Sequence, residues 1–187
     1  MTDLGVETLN SSSSTTRRRA LQLGALTAGG LILGATAAAG SVPVMKSATT
    51  SPVVQATISL QSMINNRFVC AESAGAKPLI ANRTVVGEWE KFDLIGVGNG
   101  QVAMRAHANG RFVCAESAGT KPLIANRTSI GLWETFTLAG SRYGVDSSLF
   151  AAVNKRYVTA ERAGALPLIA NRTAYGPWEK FIVAAAY

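Results

Sequence analysis

A chain of 187 residues, 48% hydrophobic and 16% charged, is long enough for one domain and too apolar to stay disordered. Its formal net charge is +7, yet from Ala56 onward 14 Lys and Arg stand against 9 Asp and Glu, a balance of about +5 spread along the chain with carboxylates near each arginine. That spread excludes the basic stripe with interleaved aromatics of a nucleic-acid binder, so no nucleic-acid partner is expected.

The first 55 residues do not read as a domain. Met1 to Thr16 is polar, Arg17-Arg18-Arg19 follows, and Ala20 to Ala39 is an uncharged Ala, Gly and Leu run ending in Ala37-Ala38-Ala39. Basic, then apolar, then small is the order of an export signal, and residues 1–39 are assigned to one. Thr16-Arg17-Arg18-Arg19-Ala20-Leu21 resembles the twin-arginine export motif, with Ala20 in place of the usual aromatic. The competing reading is a retained membrane anchor, because about 20 apolar residues can span a bilayer; the weak hydropathy of Gly and Ala favours a removed signal. Residues 40–55, with Pro43 and Pro52, read as a linker. The expected mature protein is a monomer, secreted or in the cell envelope, with no membrane contact.

From there the chain repeats itself. Leu79-Ile80-Ala81-Asn82-Arg83-Thr84 followed by Gly87-Glu88-Trp89-Glu90-Lys91-Phe92 returns at Leu123 to Phe136 and again at Leu168 to Phe181. Arg67 to Gly75 equals Arg111 to Gly119 letter for letter, and Arg156 to Gly164 differs by Tyr157, Thr159 and Arg162. Three copies, about 56–98, 99–143 and 144–187, make one unit presented three times.

Each unit reads as four short strands. In the first, Leu60 to Ile64 alternates before Asn65-Asn66, Arg67 to Glu72 returns, Leu79 to Thr84 is the third strand and Trp89 to Leu94 the fourth. The second copy has Asn109-Gly110 at the first turn, a hairpin signal that expects φ > 0 at both residues. Propellers need about four or more blades, whereas three four-stranded units close as a β-trefoil, an all-β barrel capped by three hairpins. Cys70 and Cys114 occupy equivalent positions that a threefold axis holds apart, so free thiols are expected.

Phe92 with Leu94, Phe136 with Leu138 and Phe181 with Val183 share one face and read as core. Trp89, Trp133 and Trp178 stand three residues earlier and point outward if the strand is regular that far back. They either cover a hairpin or stack on a ligand; a large aromatic outside the core three times favours the ligand. Glu72, Glu116 and Glu161 fall on the outward parity, available either to sugar hydroxyls or to a salt bridge with Arg83 or Arg67 in the first repeat. Asn82 with Arg83, Asn126 with Arg127 and Asn171 with Arg172 suit vicinal hydroxyls, while Asn could equally cap a turn and Arg pair with the next carboxylate. Glu90, Glu134 and Glu179 read as structural partners of the arginines. His107, the single histidine, reads as a surface strand residue.

Ala-Glu-x-Ala-Gly, then Pro-Leu-Ile-Ala-Asn-Arg-Thr, then Gly-x-Trp-Glu-x-Phe, three times between Ala56 and Tyr187, resembles the fascin-like β-trefoil domains of bacterial secreted proteins and, among them, the trivalent carbohydrate-binding modules of family ninety-two. The resemblance implies β-1,3- and β-1,6-glucan binding through Trp89 with Glu72, Trp133 with Glu116 and Trp178 with Glu161. Glu88, Leu132 and Pro177 before the tryptophans differ, so unequal sites are expected. A non-catalytic polysaccharide binder without cofactor or metal is the first expectation. A protein-binding or structural trefoil is the second. A glycosidase using Glu72 and Glu90 is the third, disfavoured because an active site repeated three times is improbable.

Overall fold

The computed structural model describes residues 53–140 and 144–187. The expected export signal and most of the linker lie outside these residues. Twelve strands follow in order: β1 Val54–Ser62, β2 Arg67–Ala71, β3 Leu79–Arg83, β4 Phe92–Gly98, β5 Gln101–Ala106, β6 Phe112–Ala115, β7 Leu123–Arg127, β8 Phe136–Ala139, β9 Gly144–Ala151, β10 Arg156–Ala160, β11 Leu168–Arg172 and β12 Phe181–Ala185. The first strand starts at Val54, inside the segment that composition assigns to the linker.

Six strands close a ring. β1 pairs with β4, β4 with β5, β5 with β8, β8 with β9, β9 with β12 and β12 with β1, all antiparallel. The remaining six form three hairpins, β2 with β3, β6 with β7 and β10 with β11. Closure leaves the barrel without an edge strand, and ring plus hairpins is the β-trefoil.

The core repeats in threes. Phe92, Phe136 and Phe181 are fully buried, as are Leu79, Leu123 and Leu168, and Val69, Val113 and Val158 face them in one cluster. Leu94 and Val183 share the Phe face, and Leu138 packs against it partly buried. Truncating one of these phenylalanines would cost about 3–5 kcal/mol.

Two local features depart from simple strand reading. The turn after β1, β5 and β9 is not a two-residue hairpin. Asn66 N–H bonds Ser62 O, Gly110 N–H bonds Ala106 O and Lys155 N–H bonds Ala151 O, and only the last residue of each turn has positive φ. The preceding Asn65, Asn109 and Asn154 work through their side chains, each amide donating to a carbonyl 16 residues on, Ala81, Ala125 or Ala170, at 2.7–2.9 Å.

That same amide receives the neighbouring repeat. Gly75 lies so close that a Cβ there would stand 2.1 Å from Asn109 Nδ2; Gly119 does this to Asn154, and Gly164 to Asn65. These glycines end left-handed turns, with φ of +52°, +53° and +78° at Ser73, Ala74 and Gly75 and similar values in the other copies. Glycine is required there twice over, for its conformation and for the approach.

Candidate functional site

Two departures from regular strand geometry build each site. The hairpin register shifts once per repeat: Phe68 pairs with Arg83 and Val69 with Ala81, leaving Asn82 as the extra residue of a bulge, and Asn126 and Asn171 occupy the same position. Neighbours along a regular strand point to opposite faces, and a bulge re-aims them. Asn82 Nδ2 and Arg83 Nη2 therefore both reach Glu72 Oε1, at 2.7 and 2.8 Å. Asn126 and Arg127 meet Glu116 at 3.1 Å each, and Asn171 and Arg172 meet Glu161 at 2.7 and 2.9 Å.

Glu72 itself is not on the strand. β2 ends at Ala71, and the left-handed turn returns Gly75 N–H to Ala71 O and Lys77 N–H to Glu72 O, fixing the carboxylate at the lip. The salt bridge to Arg83 that the sequence allows is formed, and Arg67 takes no part in it.

The second departure concerns the tryptophans. Glu88–Glu90, Leu132–Glu134 and Pro177–Glu179 are single turns of 3-10 helix, and the fourth strand begins only at the Phe. The expected regular strand back to Trp89 is thus replaced by a turn, because Glu90 Oε2 accepts the Gly87 N–H at 2.7 Å and winds the chain. Glu134 and Glu179 do the same to Gly131 and Gly176 at 2.8 Å. Outward indoles result all the same: Trp89 is 39% and Trp133 36% exposed, and Trp178 is half-buried.

Arginine joins the two halves. Arg83 Nε faces Glu90 Oε1 at 3.7 Å while its Nη2 holds Glu72, so one guanidinium spans two carboxylates, as Arg127 and Arg172 do. Their Cζ atoms stand 5.8 Å from the Trp133 ring and 5.9 Å from the Trp178 ring, within cation–π range. All twelve site residues expected from the sequence are thus gathered four to a repeat. Beside Trp89 an open depression of about 400 Å³ is lined by Arg83, Val85, Gly87, Glu88 and Glu90.

In the second repeat the outer carboxylate is shifted toward its charged form. The Asn126 amide, helped by the Arg127 charge, holds the Glu116 carboxyl below its ordinary range against the opposing effect of burial. In the first and third repeats both bonds to the outer carboxylate fall on Oε1.

Sequence reading missed the support beneath. Cys70 and Cys114 are buried free thiols, pushed up to about 12 chiefly by burial and also by Glu90 and Glu134 behind the site. In the third repeat the Thr159 hydroxyl donates to Glu179. The interchange of Cys and Thr between copies is the signal of a small donor facing a carboxylate. His107 lies in a turn, not on a strand, and bridges Asp93 at 2.8 Å and Glu88 at 3.3 Å.

The fold places this chain among the β-trefoil proteins. A designed threefold-symmetric protein, ThreeFoil, superposes with a TM-score of 0.62 at 17% identity over 70% of this chain and 99% of its own. The BEL β-trefoil gives 0.58 at 10% identity over 74% and 98%. An exo-β-1,3-galactanase from Clostridium thermocellum, 1,3Gal43A, gives 0.63 at 10% identity over 73% of this chain and 31% of the enzyme. No protein-family model and no curated protein matches the chain by sequence.

Proposed function

We propose that this protein is a non-catalytic carbohydrate-binding trefoil with three sites for β-1,3- and β-1,6-linked glucan, exported by the twin-arginine-type signal in residues 1–39. The observation that carries the reading is an outward indole, exposed in the first two repeats and half-buried in the third, beside an arginine-clamped carboxylate in each copy. An indole face accepts the apolar C–H face of a pyranose, and a fixed carboxylate and amide accept and donate to its hydroxyls. That part of a galactan-cleaving enzyme shares the fold is consistent with a sugar-directed role. Three sites on one rigid body can exceed single-site affinity by about 10²-fold or more on a polymer.

Retention on insoluble β-glucan, with chitin and cellulose beside it, tests the reading. Wild-type protein is expected to be retained on β-glucan, a single Trp133→Ala to weaken retention partially, and the triple Trp→Ala protein to pass through. Retention unchanged in the triple variant, or new reducing ends released from the polymer, would overturn it.

A further inference from the structure

Apart from Arg162, which is exposed in the third repeat's left-handed turn where the other copies have Ser73 and Ser117, the described arginines fall into two groups. Arg83, Arg105, Arg127 and Arg172 are ion-paired. Arg67, Arg111 and Arg156 occupy one equivalent position in the three repeats, are exposed, and have no carboxylate partner among the described residues. The even pairing of arginine with carboxylate that composition suggests therefore fails at this position.

Each of these arginines stands at a boundary between repeats. A cleft of about 310 Å³ lies between Ala74, Gly75 and Ala76 of the first repeat and Asn109, Arg111, Ile124 and Asn126 of the second. Its counterpart of about 330 Å³ lies between Gly119 and Thr120 and Asn154, Arg156, Ile169 and Asn171. At the third boundary Gly164 meets Asn65 in the same close approach, with Arg67 two residues on. The volumes sit at the lower end of small-ligand pockets, the size of one sugar unit.

At the two clefts the guanidinium has a backbone partner. Arg111 Nη1 donates to Asn126 O at 3.4 Å and Arg156 Nη1 to Asn171 O at 3.5 Å. Anchoring Nη1 leaves the Nε and Nη2 edge unused, and that edge is the planar fork that pairs a carboxylate through two parallel bonds. The cleft walls add Ile124 or Ile169 for an apolar ring face. The carbonyl that anchors the arginine belongs to the bulge residue whose amide holds the Trp-site glutamate, so cleft and Trp site are contiguous on one strand.

We propose that the inter-repeat clefts are a second set of sites, each binding the carboxylate of a hexuronic acid unit in an acidic polysaccharide, with Arg67, Arg111 and Arg156 as the carboxylate ligands. Two such cationic clefts, and a third arginine at the equivalent boundary, suit a polymer that carries a charge on every unit. The inference stands apart from the neutral-sugar reading of the tryptophan sites.

The full chain is tested for binding to polygalacturonate, to the same polymer fully methyl-esterified, and to polyglutamate. Polygalacturonate is expected to bind at least about tenfold more tightly than its neutral ester and to weaken as salt is raised. The Arg67→Gln, Arg111→Gln, Arg156→Gln protein is expected to lose that about tenfold advantage while its β-glucan retention stays as in wild type. Equal binding of acid and ester, or an undiminished acid preference in the arginine variant, overturns the proposal; binding of polyglutamate as tight as polygalacturonate overturns its assignment to a sugar acid. Loss of β-glucan binding by wild type with the acid preference intact would sink the reading of the tryptophan sites and leave the clefts standing.

Discussion

The first and third repeats hold one frame in different company. Beside Trp89, Glu88 bonds Lys91 at 2.9 Å and His107 at 3.3 Å, and His107 continues to Asp93, which Arg105 and Thr57 also bond. Beside Trp178 the Glu88 position is Pro177, and an aromatic group takes over: Tyr175 packs on Tyr157 at 5.8 Å, donates its phenol to Asp146 O at 2.9 Å, and carries Lys180 over its ring at 5.5 Å. The Glu–Arg–Glu frame beneath differs between them by a few tenths of an ångström. What every copy keeps is what a backbone N–H or a half-buried guanidinium needs; what varies touches only side chains at the rim.

The largest test of that contrast sets a frame carboxylate against a rim one. Glu179→Ala leaves the Gly176 N–H and the Thr159 hydroxyl without their acceptor and Arg172 with Glu161 alone, and is expected to destabilise by about 2–3 kcal/mol, read as a lower urea midpoint. Glu88→Ala, at an exposed rim position, is expected to leave that midpoint unchanged. Equal losses in the two variants would erase the distinction between frame and rim.

A smaller effect comes from making the first repeat resemble the third. Cys70→Thr places a hydroxyl against Glu90 as Thr159 does against Glu179, and a change within about 1 kcal/mol is expected, whereas Cys70→Val removes the donor and costs about 1–2 kcal/mol. Indistinguishable denaturation curves for the two variants would show that the donor is unimportant and only the volume counts.

The smallest effect is in acid. Lys91 first, and then His107, hold the Glu88 carboxyl below its ordinary range. A carboxyl depressed in the folded state contributes fully above its unfolded value of about 4.3 and loses that contribution as pH falls through the folded value. Fluorescence of Trp89, with the other two tryptophans replaced by Phe, is therefore expected to change below about pH 4. The corresponding single-Trp178 protein lacks a carboxyl at Pro177 and is the control, and an identical acid transition in both would assign the change to the frame instead of the rim.

The threefold repeat, the four strands of each unit and the inward Phe residues were all legible from residue order, because identity at a fixed period and period-two alternation survive without coordinates. The Glu, Asn, Arg and Trp that recur in each copy could be listed for the same reason. Their mutual geometry was not legible. Nothing in Ala-Asn-Arg marks Asn82 as a bulge, since that depends on the partner strand being one residue shorter between the same two pairs. The 3-10 turn at Trp89 depends on a carboxylate folding back on Gly87, and a capping contact competes with strand propensity on nearly equal terms. Arg67 and Arg83 look alike in sequence; only the bulge decides which of them meets Glu72.

The glycine and asparagine contacts form a circuit: first repeat onto second, second onto third, third onto first. In a solenoid each unit leans on a neighbour and the outermost units need caps. Here the third handover comes back to its origin, and β12 zips to β1 along the same seam. Three is thus the number at which the bookkeeping of partners comes out even, as in an arch whose every stone is a keystone. Removing one unit would open two faces at once, so the three copies stand or fall as a set while their rims remain free to diverge.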